Sequence, residues 1–186
     1  VLKKKISELL IKLKPLKLRT HTVKSQKEEN KYWIIRRESF NLLRQKIKDK
    51  HTAPFIDDFV VQPKYLPEFL PKLEQIMNKY PSLIYTIAGH LGEGNFHIIP
   101  LMNLEDPKQR EIIPQLLKEV YDLVLKYQGS ITGEHNDGII RTPYLKQMYG
   151  EKVYKLFEET KKVFDPQNIF NPGKKIGGSM EFALKH

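Results

Sequence analysis

Two short segments join histidine or glutamate to glycine, and they constrain the fold more than any other feature of the chain. The first is Gly-His-Leu-Gly-Glu-Gly-Asn-Phe-His at 89–97, and the second is Thr-Gly-Glu-His-Asn-Asp-Gly at 132–138. Together they offer three histidines and a carboxylate on backbone that can turn sharply. This is the chemistry of a divalent metal site with a base beside it. The chain has no cysteine, so any metal must be held by His, Asp or Glu.

The spacing of apolar residues predicts an α+β fold. It indicates helices at 2–13, 24–48, 66–79, 106–127 and 150–163, with Pro114 as a kink or restart, and strands at 16–23, 53–62, 82–89 and 95–101. The last two strands flank the first glycine-rich turn and are predicted to form an antiparallel hairpin. Residues 129–138 are predicted to form an irregular loop. Helices and strands in this order favour an antiparallel or mixed sheet with the helices on one face.

The basic charge of the chain is concentrated at its start. Residues 1–50 carry a net charge of +11 and residues 51–186 carry −1. A basic segment of this kind could contact nucleic acid, a membrane surface, an acidic partner or anionic substrates, and the alternative is a solvated, lysine-rich helix face. No aromatic-interleaved basic motif supports nucleic-acid recognition. The sequence has no apolar run long enough to span a membrane, and we expect a cytoplasmic protein, with peripheral membrane attachment left open.

Histidines at the two ends of the predicted hairpin could share one ligand. His90 ends one strand and His97 lies in the next, and Asn95 points to the same face as His97. Neutral imidazoles suit zinc, iron or manganese, and Glu134 is the best candidate for a completing carboxylate. His135 would then face a substrate as a general base. A structural role for each histidine, and plain turn chemistry for the second segment, remain alternatives.

Three further residues could contact a ligand. Arg36 lies on the predicted helix that carries Trp33, and it could pair with a substrate carboxylate. Asn171 and Lys174 lie in the closing turn and could meet a partner or a cofactor. A solvated arginine and an ordinary turn composition explain these residues equally well. The chain starts at Val1 within a helical pattern, so we expect a fragment of a longer protein.

The motifs resemble those of one enzyme family. The segment at 89–97 resembles the Gly-His-x-Gly-Asp-Gly-Asn-x-His signature of the FAD-linked oxidase C-terminal domain, a family that includes glycolate oxidase, D-lactate dehydrogenases and D-2-hydroxyglutarate dehydrogenase. The segments at 129–135 and 164–174 are similar to its second signature and to its closing motif. The resemblance covers nearly the whole chain. Glu93 departs from the usual Asp, and Asn136 and Asp137 depart from the usual Gly and apolar residue.

The resemblance implies a fold and a reaction. Residues 1–186 would form the ferredoxin-like α+β substrate (cap) domain, without the N-terminal FAD-binding domain. The whole enzyme would oxidise a 2-hydroxy acid of the glycolate or D-lactate type to a 2-oxo acid, passing hydride to flavin, and an electron-acceptor subunit could be a further partner. The fragment alone is expected to be inactive, because it holds no hydride acceptor.

The resemblance also assigns roles to individual residues. It implies a divalent metal (zinc, manganese or iron) on His90, His97 and Glu134, with His135 as the catalytic base, Arg36 and Asn95 as substrate contacts, and Asn171 and Lys174 on the side of FAD. Two hypotheses of other classes remain. One is a non-catalytic binding module, stabilised by metal, whose basic face docks a partner. The other is a metal-dependent hydrolase that uses no flavin.

Overall fold

The sheet is built around one strand of eight residues, Asn95–Met102 (β4). In the computed structural model, which describes residues 1–47 and 49–185, all of its neighbours are antiparallel. Ile84–Ala88 (β3) pairs along one edge of β4. His51–Thr52 (β1) and Asp57–Val60 (β2) pair one after the other along the opposite edge. The chain between β1 and β2 leaves the ladder at Pro54, which has no N–H to donate to it.

Two helices of the chain cover one face of this sheet. The helices of the chain are Leu2–Leu13 (α1), Gln26–Lys46 (α2), Leu66–Met77 (α3), Pro107–Arg110 (α4), Ile112–Lys126 (α5), Gly138–Arg141 (α6), Leu145–Phe164 (α7) and Met180–Lys185 (α8). α3 and α5 pack together, and their apolar faces share one buried core with β2 and β4. After α5, Ser130 forms an antiparallel bridge to Val60. The order β2-α3-β3-β4-α5, followed by this bridge, is a ferredoxin-like arrangement with a minimal last strand.

Side chains along β4 alternate between the two faces of the sheet. Phe96, Ile98 and Met102 belong to the buried core beneath the helices. Asn95 and His97 therefore point to the opposite face, as the sequence predicts. This second face is the one on which the candidate site is built.

The described residues form two compact units, Val1–Lys48 and Asp49–His186. The first contains α1 and α2, and Ser25 caps the start of α2 by accepting a hydrogen bond from the Glu28 N–H (3.2 Å). The second contains the sheet and the remaining helices. No helix in the described ranges has both the length and the apolar character that a bilayer crossing requires.

Most predicted elements are confirmed, and two predicted helices differ from the observed ones. The predicted helix at 106–127 is two helices that meet at Glu111, and Pro114 lies in the first turn of α5, where its missing N–H costs no helical bond. The helix predicted from Gly150 begins at Leu145 and changes direction at Gly150 (φ +77°). The predicted helix end at Lys48 lies outside the described residues.

The predicted strand at 16–23 is wrong. A 3-10 helix, Lys14–Leu16, occupies its start, and Lys17 follows with a left-handed φ of +51°. Alternation of apolar and polar residues forms a strand only where a partner strand supplies the ladder. Within the described part of the chain, no strand pairs with residues 17–24.

Candidate metal and acid–base site

A tight hairpin brings His90 and His97 side by side. β3 ends at Ala88, a 3-10 turn spans Leu91–Glu93, and β4 starts at Asn95. Gly89 has a φ of +136°, and a Cβ there would lie 2.3 Å from the Asn95 carbonyl oxygen, so only glycine fits this turn. The rings of His90 and His97 consequently stand 5.9 Å apart at an interplanar angle of 85°.

A bulge in β2 supplies two carboxylates opposite this hairpin. Asp57 pairs with His97 and Phe59 pairs with Phe96, so Asp58 is an extra residue in the ladder. Its φ is +63°, in the left-handed region that Asp tolerates better than most residues. The Asp58 side chain is completely buried. The bulge thus places two acidic side chains within an otherwise apolar strand.

The Asp58 carboxylate holds the second glycine-rich segment against the sheet. It accepts hydrogen bonds from the backbone N–H groups of Gly133 (2.9 Å), Glu134 (3.0 Å) and His135 (2.8 Å). The Asn95 side-chain amide donates a fourth (3.0 Å). Burial by itself raises the pKa of Asp58, but these donors outweigh burial and hold the pKa below its ordinary value. The loop is therefore anchored through its backbone, which leaves its side chains available.

Glu134 meets both hairpin histidines at one oxygen. Its Oε1 lies 3.1 Å from the Nε2 of His90 and 3.1 Å from the Nε2 of His97. Metal bonds of about 2.0–2.2 Å, at tetrahedral to octahedral angles, place ligand atoms about 2.8–3.6 Å apart. Both distances to Glu134 Oε1 fall in this range, and the three predicted ligand atoms all lie within 4.8 Å of one another. His90 and Glu134 are about half exposed, so the group is open on one side.

His135 lies beside these three residues. Its ring stacks on that of His97, with a centroid distance of 4.8 Å and an interplanar angle of 14°. Its Nδ1 is 3.0 Å from Asp57 Oδ2, and its Nε2 is 3.8 Å from Glu134 Oε1. The side chain is half exposed. The predicted base and the three predicted metal ligands thus occupy one open cluster.

The remaining predicted site residues lie in three places. Asn95 is buried next to the cluster, and its Oδ1 has no hydrogen-bond partner among the described residues. Asn171 and Lys174 form the closing turn after α7, where the Lys174 N–H donates to the Asn171 carbonyl (3.2 Å). Arg36 lies on α2, in the N-terminal unit. Their contacts with substrate and flavin stay predictions.

Sequence reasoning missed three residues that build the site. Asp57 and Asp58 were detectable, because two adjacent acids stand within the apolar run Phe-Ile-Asp-Asp-Phe-Val-Val at 55–61. Arg141 had no such signal. It is buried, and its guanidinium donates to the backbone carbonyls of Asp57 (2.5 Å) and Asn136 (2.7 Å). This arginine ties the bulge to the end of the loop.

Comparison with known proteins identifies the family of this chain. Residues 5–175 match the family of FAD linked oxidases, C-terminal domain. The chain belongs to this family. The match contains both glycine-rich segments and the closing motif at 164–174, so the family resemblance expected from the sequence is confirmed.

Several relatives of this domain have names that describe oxidation of hydroxy acids. D-2-hydroxyglutarate dehydrogenase of Escherichia coli (strain K12) is 30% identical over 142 residues, which cover 76% of this chain and 14% of the relative. Glycolate oxidase subunit GlcD of Bacillus subtilis (strain 168) is 30% identical over 64% of the chain and 25% of the relative. Mitochondrial D-lactate dehydrogenase [cytochrome] 1 of Saccharomyces cerevisiae (strain ATCC 204508 / S288c) is 32% identical over 69% of the chain and 22% of the relative. The chain therefore spans a small part of these proteins.

Proposed function

We propose that this chain is the substrate- and metal-binding domain of a flavin-dependent dehydrogenase or oxidase that converts a 2-hydroxy acid to a 2-oxo acid. The observation that carries the proposal is the convergence of His90, His97 and Glu134 on one point, with His135 stacked beside them. The names of the relatives support this substrate class, within which we propose a small acid of the glycolate or D-lactate type.

His90, His97 and Glu134 are the residues that would hold a divalent metal. Their two nitrogens and one oxygen suit zinc, manganese or iron, and three protein ligands leave open positions for a substrate. A metal at this point would make a substrate hydroxyl easier to deprotonate. The half-exposed His90 and Glu134 let a small acid approach from the open side.

His135 would remove the proton of the substrate hydroxyl. Its Nδ1 is engaged by Asp57, so its Nε2 is the atom available to accept a proton. Asn95 and Arg36 would contact the substrate. The net reaction takes one proton and one hydride from the acid. FAD, bound mainly by an N-terminal FAD-binding domain of the same protein, supplies the hydride acceptor, and Asn171 and Lys174 would face it.

A further partner would reoxidise the flavin. The name of the yeast relative includes the word cytochrome. We therefore propose an electron-acceptor protein or subunit as a partner of the complete enzyme.

The activity is tested with the complete flavoprotein, mixed without oxygen with glycolate, D-lactate, D-2-hydroxyglutarate or L-lactate. We expect glycolate or D-lactate to bleach the flavin absorbance, and L-lactate to leave it unchanged. Bleaching by D-2-hydroxyglutarate alone would contradict the proposed small acid. His135→Asn should slow bleaching by about 10²–10⁴-fold, the usual contribution of a general base. A flavin that stays oxidised with every acid would contradict the proposal.

The metal site is tested separately on this chain. His97→Ala should lose stoichiometric Zn²⁺ or Mn²⁺ after dialysis, as measured by elemental analysis. His21→Ala is the matched control, since His21 pairs with Glu28 in the N-terminal unit and should leave metal content unchanged. Wild-type metal content in His97→Ala would refute the ligand assignment.

A further inference from the structure

We propose that Asp57 is a positioning residue that fixes the tautomers of two imidazoles at once, those of His97 and His135. The inference deepens the proposed function and rests on it for the roles of the two rings. Each Asp57 oxygen serves a different ring: Oδ1 lies 2.9 Å from His97 Nδ1, and Oδ2 lies 3.0 Å from His135 Nδ1.

The chemistry of the carboxylate determines where each ring carries its proton. An ionised carboxylate only accepts hydrogen bonds, so both Nδ1 atoms must donate. A neutral imidazole has one N–H, and Nε2 is then left with its lone pair free in each ring. In His97 this lone pair faces Glu134 Oε1 at 3.1 Å, a contact between two acceptor atoms that a bound metal would make favourable. In His135 it is the atom that can accept a substrate proton.

The surroundings of Asp57 hold its carboxylate in this position. The side chain is 8% exposed, and its residue pairs with His97 in the β2–β4 ladder. The Arg141 guanidinium binds the Asp57 backbone carbonyl (2.5 Å). The two imidazoles stack on each other, and this contact restrains both rings. One buried acid therefore aligns a metal ligand and a base together.

Asp57→Asn provides the test, because asparagine has the same shape but only one acceptor oxygen. Its NH₂ group faces the other ring and must donate, so that ring has to move its proton to Nε2. Long-range ¹H–¹⁵N NMR of this chain loaded with Zn²⁺, which would occupy the Nε2 of His97, distinguishes the tautomers. We expect Nδ1–H in both rings of the wild type and Nε2–H in His135 of Asp57→Asn, because the asparagine oxygen would face the Nδ1–H of His97 and its NH₂ group would face His135.

The ring of His90 is an internal control, because its described contact is with Glu134 and its tautomer should be the same in both proteins. Zinc affinity should fall about 10- to 100-fold in Asp57→Asn, as for other carboxylates that orient a metal-bound histidine. Asp106 caps the start of α4, away from the site, so Asp106→Asn is the matched control variant. It should leave both the tautomers and the zinc affinity unchanged.

Two results would overturn the proposal: Nε2–H in either ring of the wild type, or Nδ1–H in both rings of Asp57→Asn. The wild-type spectrum decides the first point even where Asp57→Asn does not fold. The outcome is separate from that of the proposed function. A complete enzyme that oxidises none of the tested acids, together with the expected tautomers here, would reject the activity and retain the positioning role.

Discussion

Asp58→Asn should destabilise the chain and release the loop that carries Glu134 and His135. The substitution keeps the size of the side chain, and asparagine tolerates the left-handed backbone at this position as well as aspartate does. It removes one acceptor oxygen and the negative charge. The structural change is therefore confined to the hydrogen bonds that the carboxylate makes.

The magnitude follows from the donors that lose their acceptor. When the NH₂ group of asparagine takes the place of Oδ2, the backbone N–H groups of Gly133 and His135 lose their acceptor oxygen. An unsatisfied buried donor costs about 1–3 kcal/mol. The loop is exposed on its outer side, so water can reach these groups if the loop moves, which favours the lower end of that range for each. We expect a loss of about 2–4 kcal/mol in the free energy of unfolding.

Urea unfolding at pH 7 measures this loss. Trp33 belongs to the N-terminal unit, so near-ultraviolet circular dichroism, to which the buried Tyr121 contributes, is the better probe of the sheet and loop. Amide NMR gives a second readout, because the N–H resonances of Gly133, Glu134 and His135 should shift when the charged acceptor is removed. Asp106→Asn is the control for the same chemical change, since Asn caps a helix as well as Asp does.

A clear result would refute the reasoning. If Asp58→Asn unfolds within about 0.5 kcal/mol of the wild type, the span expected of an ordinary surface substitution, and the three loop amides do not shift, the carboxylate does not hold the loop. Loss of stability without amide shifts would also contradict it, since the cost would then arise elsewhere.

Three further outcomes are expected. Gly133→Ala would place a Cβ 2.7 Å from Asp58 Oδ1 and should lower the free energy of unfolding in urea by about 1–3 kcal/mol. Gly92→Ala is the control, since no described atom lies within 4 Å of its Cβ, and it should be nearly neutral. Because folding lowers the pKa of Asp58, its carboxylate contributes to the free energy of unfolding above its unfolded pKa of about 3.9, and this contribution is lost as the pH falls through the folded pKa. The difference in unfolding free energy between wild type and Asp58→Asn should therefore narrow below about pH 4. A difference that widens there would contradict this. Tyr121→Phe removes the buried hydrogen bond to the Phe55 carbonyl (3.0 Å) and should cost about 1–3 kcal/mol in the same assay.

Local sequence patterns predict the hairpin well because its geometry is determined by nearby residues. The β-rich runs fix the register of β3 and β4, and Gly89 permits the turn between them. Alternation along β4 then places Asn95 and His97 on one face. The convergence of His90 with His97 is a consequence of these local rules, so it could be predicted without knowledge of the tertiary structure.

The long-range part of the site could not be predicted in the same way. The loop at 132–135 reaches the sheet through hydrogen bonds to Asp58, which is more than seventy residues earlier in the chain. The spacing of apolar residues does not predict such a contact. The strand predicted at 16–23 is wrong for a related reason, because alternation of apolar and polar residues does not by itself supply a pairing partner. Helical spacing of the apolar residues in α2 also predicts a buried stripe that includes Trp33 and Ile34. This prediction is wrong for these two residues, which are about half exposed, while the side chains of Phe40 and Leu43 lie outside the described residues.

The bulge explains how two neighbouring acids can serve one site. On a regular strand, adjacent side chains point to opposite faces of the sheet. Here Asp57 binds His97 and Asp58 binds Asn95, and these partners lie on the same face of β4. The extra residue and its φ of +63° rotate Asp58 onto that face. Asp57 can then orient the imidazoles while Asp58 anchors the loop backbone. One carboxylate could not do both, because both oxygens of each are already engaged by their own partners.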